Sequence, residues 1–503
     1  MNTVGILLRQ RLRRDRWQLA AWVLGVGLLA LFAAAAIAQT FGNDADRAQI
    51  LALAIATPAI LMLRGLPEGS PVGAFTYFSV FAFLALLATL IHGAIANILM
   101  ALAVTVGFII GKLDAGGSLC AGVAVGAVGL SFLGVGLVAA QFMRTSRGAN
   151  GTAAALVVAA YIVRGIGDAA STAGSDPLHR VAGWPSWLSP IGWGQQTGAF
   201  VRNNYAPLAI NVSFAAACAA AVFALQARRD TGASMLPVRA GRADARASLR
   251  TSLALGWRLQ WPSIAGWSAA GAATGLLAGS LANILQAAGG GNTSLLNAVR
   301  SIVPGTTQTP TQLIIAAMFS VVGVLAAACA TQAVIRLRQE EVRGTAEAVL
   351  AAPVHRVRWF ADYLVLGLVA VVLVLLAAGV ASAASGLAAG AGGTVVGDSF
   401  AAAAAQLPAA LVYLAVVSLL FVLVPEATVA AGWGLLVLGM ILGIYGGMVG
   451  LPQWARNISP FQHTPVPFGV NTQWAGGIWM LVIAAVVVAA ATLLMGRRPL
   501  HSG

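Results

Sequence analysis

Apolar runs of about twenty residues alternate with short polar breaks from one end of the chain to the other. Each run is long enough to cross a bilayer core of about 30 Å as an α-helix. The pattern predicts twelve spans, six in each half. Those of the first half fall near 17–39, 71–90, 94–112, 118–141, 152–171 and 206–226; those of the second fall near 264–286, 310–333, 361–385, 401–424, 428–449 and 473–495. The alternating strands of an outer-membrane barrel are absent. The fold class predicted is an all-α polytopic membrane protein. Residues 227–262 are Arg-rich, carry a Gly-Ala-Ser-Met-Leu-Pro turn and have no apolar run. They read as a cytoplasmic linker and interfacial helix between a first half at 1–226 and a second at 263–503.

The polar breaks show that the halves repeat. Each half opens on a basic amphipathic segment entering a Trp-marked helix, LRRDRWQLAAW at 12–22 and WRLQWPSIAGW at 257–267, so Trp22 and Trp267 correspond. In each, the fifth span is followed by Pro-x-Trp and then Ser-Pro: Pro185 to Trp187 with Ser189 and Pro190, and Pro452 to Trp454 with Ser459 and Pro460. Six spans per half make the repeat parallel. Aromatic and proline residues there predict short helices at, or dipping into, the outer interface. Gly122-x3-Gly126, Gly275-x3-Gly279 and Gly439-x3-Gly443 suit close helix packing, although 58 glycines generate some such spacings by chance.

One break is unlike the rest. Arg336–Trp359, RLRQEEVRGTAEAVLAAPVHRVRW, is a dense charged block between two apolar runs. As a helix it would align Val342, Ala346, Val349 and Leu350 on one stripe. Arg336 with Glu340 and Glu340 with Arg343 would pair one turn apart. Pro353 would stop the helix, with His355, Arg356 and Arg358 leading back to lipid. A positive-inside bias accounts for the arginines, Arg338 included, but gives no reason for Glu340, Glu341 and Glu347. Such a helix suits a surface or a partner's groove.

Composition agrees with the membrane reading: 59% hydrophobic, 9% charged, mean hydropathy +0.86, where about a quarter of a soluble domain is charged. The net charge of +14 raises nucleic-acid binding. The arginines, however, sit on alternate breaks, at Arg9–Arg16, Arg144 and Arg147, Arg228–Arg258, Arg336–Arg358 and Arg497–Arg498. Breaks on the other side carry Asp44, Asp46, Glu68, Asp114, Asp176 and Asp398. That asymmetry predicts a multi-pass protein of the cell membrane with both termini cytoplasmic, and no nucleic-acid partner. The N-terminus mimics a secretory signal, but Trp17–Ala38 exceeds the 7–15 residues of a signal's apolar region and reads as an uncleaved first span.

Catalytic chemistry is sparse. A P-loop needs Gly-Lys-Ser/Thr, and the single lysine, Lys112, is followed by Leu113. No HExxH, CxxC or His/Asp/Glu cluster suggests a metal. Cys120, Cys218 and Cys329 lie inside apolar runs and read as packing residues. No catalytic, cofactor or metal residue is predicted. The clear intramembrane charge pair is Arg164 and Asp168, four apart in YIVRGIGD. It is a polar lining of a substrate path, a proton relay, or a self-satisfied ion pair near the outer end of the fifth span.

The 6+6 arrangement, the Arg336–Trp359 block, YIVRGIGD, WLSPIGWGQQTGAF and LPQWARNISPFQHTP together resemble actinobacterial ABC export permeases, in particular the polyketide-antibiotic (tetronasin-type) exporters. The resemblance covers essentially the whole chain. It implies two fused type-II exporter halves, each with an interfacial helix, six spans and an outer re-entrant segment. It also implies a separately encoded ABC ATPase, in two copies, carrying the ATP and magnesium. By that likeness the block is the ATPase-coupling segment, with Glu340, Glu341, Arg343 and Glu347 at its charged positions and Arg336, Arg338, Arg356 and Arg358 around them. The cargo would be a small hydrophobic or amphipathic compound, met between the halves or taken from membrane lipid. The first half departs from this pattern: no charge falls between Glu68 and Lys112, and its corresponding turn is only IHGAIAN, 91–97. Two other readings stay open, a proton-coupled efflux transporter using Arg164 and Asp168, and a non-transporting scaffold or sensor subunit.

Overall fold

The structure, a computed structural model, describes residues 3–90, 93–143, 145–174, 176–227, 249, 251–282, 309–446, 451–465, 467–468 and 474–498. The chain divides into two compact units, Met1–Ala240 and Gly241–Gly503. Arg144, His92 of the IHGAIAN turn, and most of the expected linker (228–248) lie outside the described residues.

The first unit runs α1 (Thr3–Thr40), α2 (Asp44–Ile55), α3 (Pro58–Arg64), α4 (Val72–Thr89), α5 (Ala94–Ile110), α6 (Ala115–Phe142) and α7 (Ser146–Ala169). After these come the two-residue strands β1 (Thr172–Ala173) and β2 (Arg180–Val181), a 3-10 turn at Trp184–Leu188, then α8 (Pro190–Gln195) and α9 (Ala206–Gln226). Local signals place several helix starts. Asp114 accepts from the Gly117 amide at 2.7 Å to begin α6, and Thr145 accepts from Gly148 at 3.1 Å to begin α7. The strands pair antiparallel, Thr172 opposite Val181 and Ala173 opposite Arg180.

The second unit runs α10 (Ser252–Ala282), α11 (Pro310–Val342), α12 (Thr345–Leu350), α13 (Arg356–Ala388), α14 (Thr394–Leu423), α15 (Thr428–Met440), α16 (Gln453–Arg456) and α17 (Ala475–Arg497). A π-helical turn, Ile441–Tyr445, continues α15, and a 3-10 turn, Pro460–His463, follows α16. A capping box starts α11: Thr309 Oγ1 accepts from the Gln312 amide at 3.3 Å, and Gln312 Oε1 accepts from the Thr309 amide at 3.2 Å. α10 passes through Pro262, so the interfacial segment and the first span of this unit form one helix.

Eleven of the described helices are long and apolar enough to cross a membrane. The twelfth expected span is α5, an apolar helix of 17 residues, about 26 Å long at 1.5 Å per residue. All twelve predicted spans thus correspond to helices, and the protein is all-α and polytopic. Within each unit the neighbours repeat: span three packs on spans one and four, and span four also packs on spans two and six.

Glycine stripes set the closest approaches. Gly122 and Gly126 of α6 lie against Ala101 of α5, and Gly129 against Asn97. Gly271, Gly275 and Gly279 of α10 lie on the backbone of Val374, Ala378 and Ser382 in α13. A Cβ at Gly275 would meet the Ala378 carbonyl, so the small residue is what lets the helices touch. Core aromatic and aliphatic side chains fill the rest: Phe81, Phe108 and Phe132 with their neighbours in the first unit, and Phe319, Trp359, Phe360 and Phe421 in the second.

Candidate functional site

The charged block is an elbow rather than one helix. α11 continues unbroken through Arg336, Arg338, Glu340 and Glu341 to Val342. Gly344 then adopts φ +69°, a left-handed conformation that favours glycine, and α12 leaves at a new angle. A turn at Ala351–Pro353 leads to His355, which precedes α13. The expected stripe of Val342, Ala346, Val349 and Leu350 is therefore broken. Val342 ends α11 at 55% exposure, while Ala346 is buried and Val349 and Leu350 pack on the core. The expected Glu340–Arg343 pair is absent among the described residues. Glu340 instead meets Arg336 Nε at 3.5 Å, with the Tyr363 hydroxyl facing both.

The elbow's charges fall into two groups. Glu340 and Glu341 are buried, and Arg336 and Arg338 half-buried. Glu341 receives Arg498 Nη2 at 2.6 Å and Arg338 Nη1 at 3.3 Å. The Arg498 guanidinium stacks over the Phe421 ring at 4.7 Å, and its carbonyl accepts from Arg356 Nη1 at 2.6 Å. Beneath lies an aromatic floor in which Phe360 stacks on Phe421 and Trp359 meets it edge-on. Thr345 Oγ1 donates to the Glu340 carbonyl at 3.2 Å, holding α12 to the end of α11. Arg358 Nε reaches Asp362 at 3.1 Å, and Asp362 also accepts from the Ser252 hydroxyl at the start of α10. Arg343, Glu347, Arg356 and Arg358 are left exposed. Spans one, two, three and six of this unit are thereby tied together under a presented charged surface.

Arg498, Asp362, Phe421, Tyr363 and Ser252 were missed as parts of this site. Asp362 carried a usable signal, lying four residues after Arg358. Arg498 carried none beyond the basic bias of a span's end, because its carboxylate partner is 157 residues away.

A second polar knot sits in the first unit at the end of α7. Arg164 and Asp168 are both fully buried and 3.1 Å apart. Arg164 Nη2 donates to the carbonyls of Met62 at 2.7 Å and Leu63 at 3.2 Å, its Nη1 donates to Gln195 Oε1 at 3.0 Å, and its guanidinium lies 4.6 Å from the Tyr161 ring. Asp168 Oδ1 accepts from the Ser186 hydroxyl at 2.6 Å and Gln195 Nε2 at 3.2 Å. The pair thus binds α3, α7, the 3-10 turn and α8 into one body. A buried ion pair keeps its charge only when surrounding groups bond it in this way. Nearby, Glu68 receives Arg202 Nη2 at 2.5 Å and meets His179 Nδ1 at 3.0 Å.

The predicted outer segments are short helical pieces in both units. Pro185 and Trp187 lie in the 3-10 turn, and Ser189 and Pro190 begin α8, with the Ser189 hydroxyl buried and without a hydrogen bond among the described residues. Pro452 precedes α16, Trp454 is 71% exposed, and Ser459 and Pro460 start the second 3-10 turn. Each segment sends a serine hydroxyl back to its fifth span. Ser186 lies 3.0 Å from the Arg164 carbonyl, and Ser459 donates to the Gly439 carbonyl at 2.7 Å. The residue order repeats between units, but the bonding serine does not occupy the same place in it.

These features define an all-α polytopic membrane protein with buried ion-pair ties, an elbow and close-packed spans, and with no metal-binding cluster among the described residues. Comparison with known proteins gives the particular kind. Residues 249–495 match the family described as the multidrug efflux system permease Rv1217c, C-terminal domain. The whole chain is similar to the multidrug efflux system permease protein Rv1217c of Mycobacterium tuberculosis, at 31% identity over 537 aligned positions covering 99% of this chain and 95% of that protein. The chain belongs to this family of efflux permeases.

Proposed function

We propose that this chain is the membrane subunit of an ATP-driven exporter of hydrophobic or amphipathic compounds, with a separate ABC ATPase, in two copies, supplying ATP and magnesium. Its termini and elbow face the cytoplasm, where the basic breaks collect. The polyketide-antibiotic (tetronasin-type) exporters are the subgroup we assign, on the motifs quoted above. The observation that carries the reading is the elbow. Two spans extend past the length a bilayer needs, and the extension exposes Arg343, Glu347, Arg356 and Arg358 on a seat fixed by buried ties. A fixed charged surface transmits force to the spans it continues, as a hinge or rigid-body mechanism requires. Closure of the ATPase pair against it would rock the helices between inward- and outward-facing states. The Arg164–Asp168 knot, tied to α3, the 3-10 turn and α8, acts as a clamp rather than a proton relay.

The test is reconstitution. In proteoliposomes, the chain together with its proposed ABC ATPase should move an amphipathic dye or antibiotic on addition of ATP, and the chain alone should not hydrolyse ATP. Transport by the chain alone under an imposed pH gradient would instead establish the proton-coupled reading. ATP hydrolysis by the co-purified pair that no candidate cargo alters would favour a scaffold or sensor.

A further inference from the structure

A groove opens between the beginning of α10 and α13. The Ser252 hydroxyl bonds to Asp362, and Gly256 packs on Leu366. Farther along, Gly271 lies on the Val374 backbone. At the first of these contacts, before Pro262, the groove has a volume of about 580 Å³. That lies within the range of about 300–1,000 Å³ typical of small-ligand sites.

The lining is amphiphilic. Val365 and Val369 form one apolar wall, and Trp257 and Trp261, four apart on α10, the other. Arg258 stands beside the two indoles, with Thr251 at the polar end. Trp257, Trp261 and Val365 are exposed, at 41%, 53% and 47%. Arg258 is exposed and has no carboxylate partner among the described residues, whereas Arg358 is satisfied by Asp362. Indoles and an arginine at the end of a span belong at the membrane–water boundary. An unneutralised guanidinium beside an apolar slot complements a phosphate ester joined to an acyl chain. A neutral cargo would leave that cation uncompensated.

We propose that this groove is a binding site for an anionic phospholipid of the leaflet that bathes the start of α10, its phosphate on Arg258 and an acyl chain between the tryptophans and Val365/Val369. The lipid would fill the groove and hold the beginning of α10 against α13. The assignment rests on the membrane-spanning fold alone and does not depend on ATP as the energy source.

The full-length chain, delipidated in detergent, is titrated in native mass spectrometry with phosphatidylglycerol and with phosphatidylcholine of the same acyl chains. The first phosphatidylglycerol should bind about fivefold tighter than phosphatidylcholine, the gain from one Arg–headgroup attraction. Arg258→Gln should erase that preference while leaving phosphatidylcholine binding unchanged, which also verifies that the variant is folded. Val369→Trp, which fills the slot, should weaken both lipids, and Val365→Phe serves the same purpose if Val369→Trp does not fold. Equal affinities in the wild-type chain, or a preference that survives Arg258→Gln, would overturn the site. So would a slot-filling variant that keeps both lipids but loses an amphipathic dye, since the groove would then belong to the cargo.

Discussion

In the first unit, α4 ends at Thr89 and α5 begins at Ala94; in the second, the corresponding helices end at Val342 and begin at Arg356, with α12 between them. The helices differ as much as the turns. α4 and α5 have 18 and 17 residues, about 27 and 26 Å, whereas α11 and α13 have 33 each, about 50 Å. A bilayer core of about 30 Å accounts for the first pair and leaves roughly four turns of each second-unit helix to be stabilised without lipid. That stabilisation comes from buried charge: Glu341 on Arg498, Glu340 on Arg336, and Asp362 on Arg358 and Ser252. The first unit puts its buried charge elsewhere, at Arg164 and Asp168, where α7 meets the outer segment. A span only long enough to cross needs no polar ties at its turn. A span that must present a surface beyond the membrane does.

The sharpest way to break this contrast is to unseat the elbow. Arg498→Glu should take from Glu341 its nearer cation, leaving only Arg338 at 3.3 Å, and set a second carboxylate beside it. The cost should be about 3–5 kcal/mol, read as loss of monodisperse protein and a large fall in melting temperature. Exchanging both residues, Glu341→Arg with Arg498→Glu, should recover part of that loss, and no recovery would mean that the residues do not act as a pair. The outer knot should respond alike: Asp168→Asn destabilises by about 3 kcal/mol, while the joint replacement Arg164→Met and Asp168→Leu costs less than the single change. If the joint replacement costs more, the knot does more than satisfy itself.

Smaller effects separate packing from presentation. Gly275→Leu drives a side chain into the Ala378 carbonyl and should cost about 1–3 kcal/mol through separation of α10 from α13, measurable as a lower melting temperature in detergent. Glu347→Lys touches no buried partner, so the melting temperature should stay within the roughly ±0.5 kcal/mol band of surface changes. ATP-driven export should nonetheless fall while the partner's hydrolysis continues. Glu340→Lys should instead lower stability first, since Glu340 is buried beside Tyr363. If Glu340→Lys and Glu347→Lys behave identically, the division of the elbow into seat and surface is wrong.

Much of the fold was legible from periodicity, because an apolar helix in lipid has one constraint, its length, and the chain states it twelve times. The elbow was legible as an anomaly of charge but not in shape. Gly344 sits inside an otherwise helical pattern, and a single glycine there reads as a weak helix position until its left-handed φ is seen. Burial of Glu340 and Glu341 was not legible either, since both look like solvated residues until Arg336 and Arg498 are placed over them. Arg164 and Asp168 were found by their spacing. Their partners were not, because two are backbone carbonyls at Met62 and Leu63, which carry no sequence signature.

The Glu341–Arg498 tie has a bearing on how the protein is made. The two residues are 157 positions apart, and at roughly 5–20 residues per second a ribosome takes about 8–30 s to travel from one to the other. Throughout that interval Glu341 has Arg338 but lacks its nearer cation, Arg498. A chain truncated within its last span would still have every earlier helix, yet its elbow would lack both the Arg498 side chain and the Arg498 carbonyl that Arg356 needs. Seating of the elbow thus distinguishes a chain that has made Arg498 from one that stops before it.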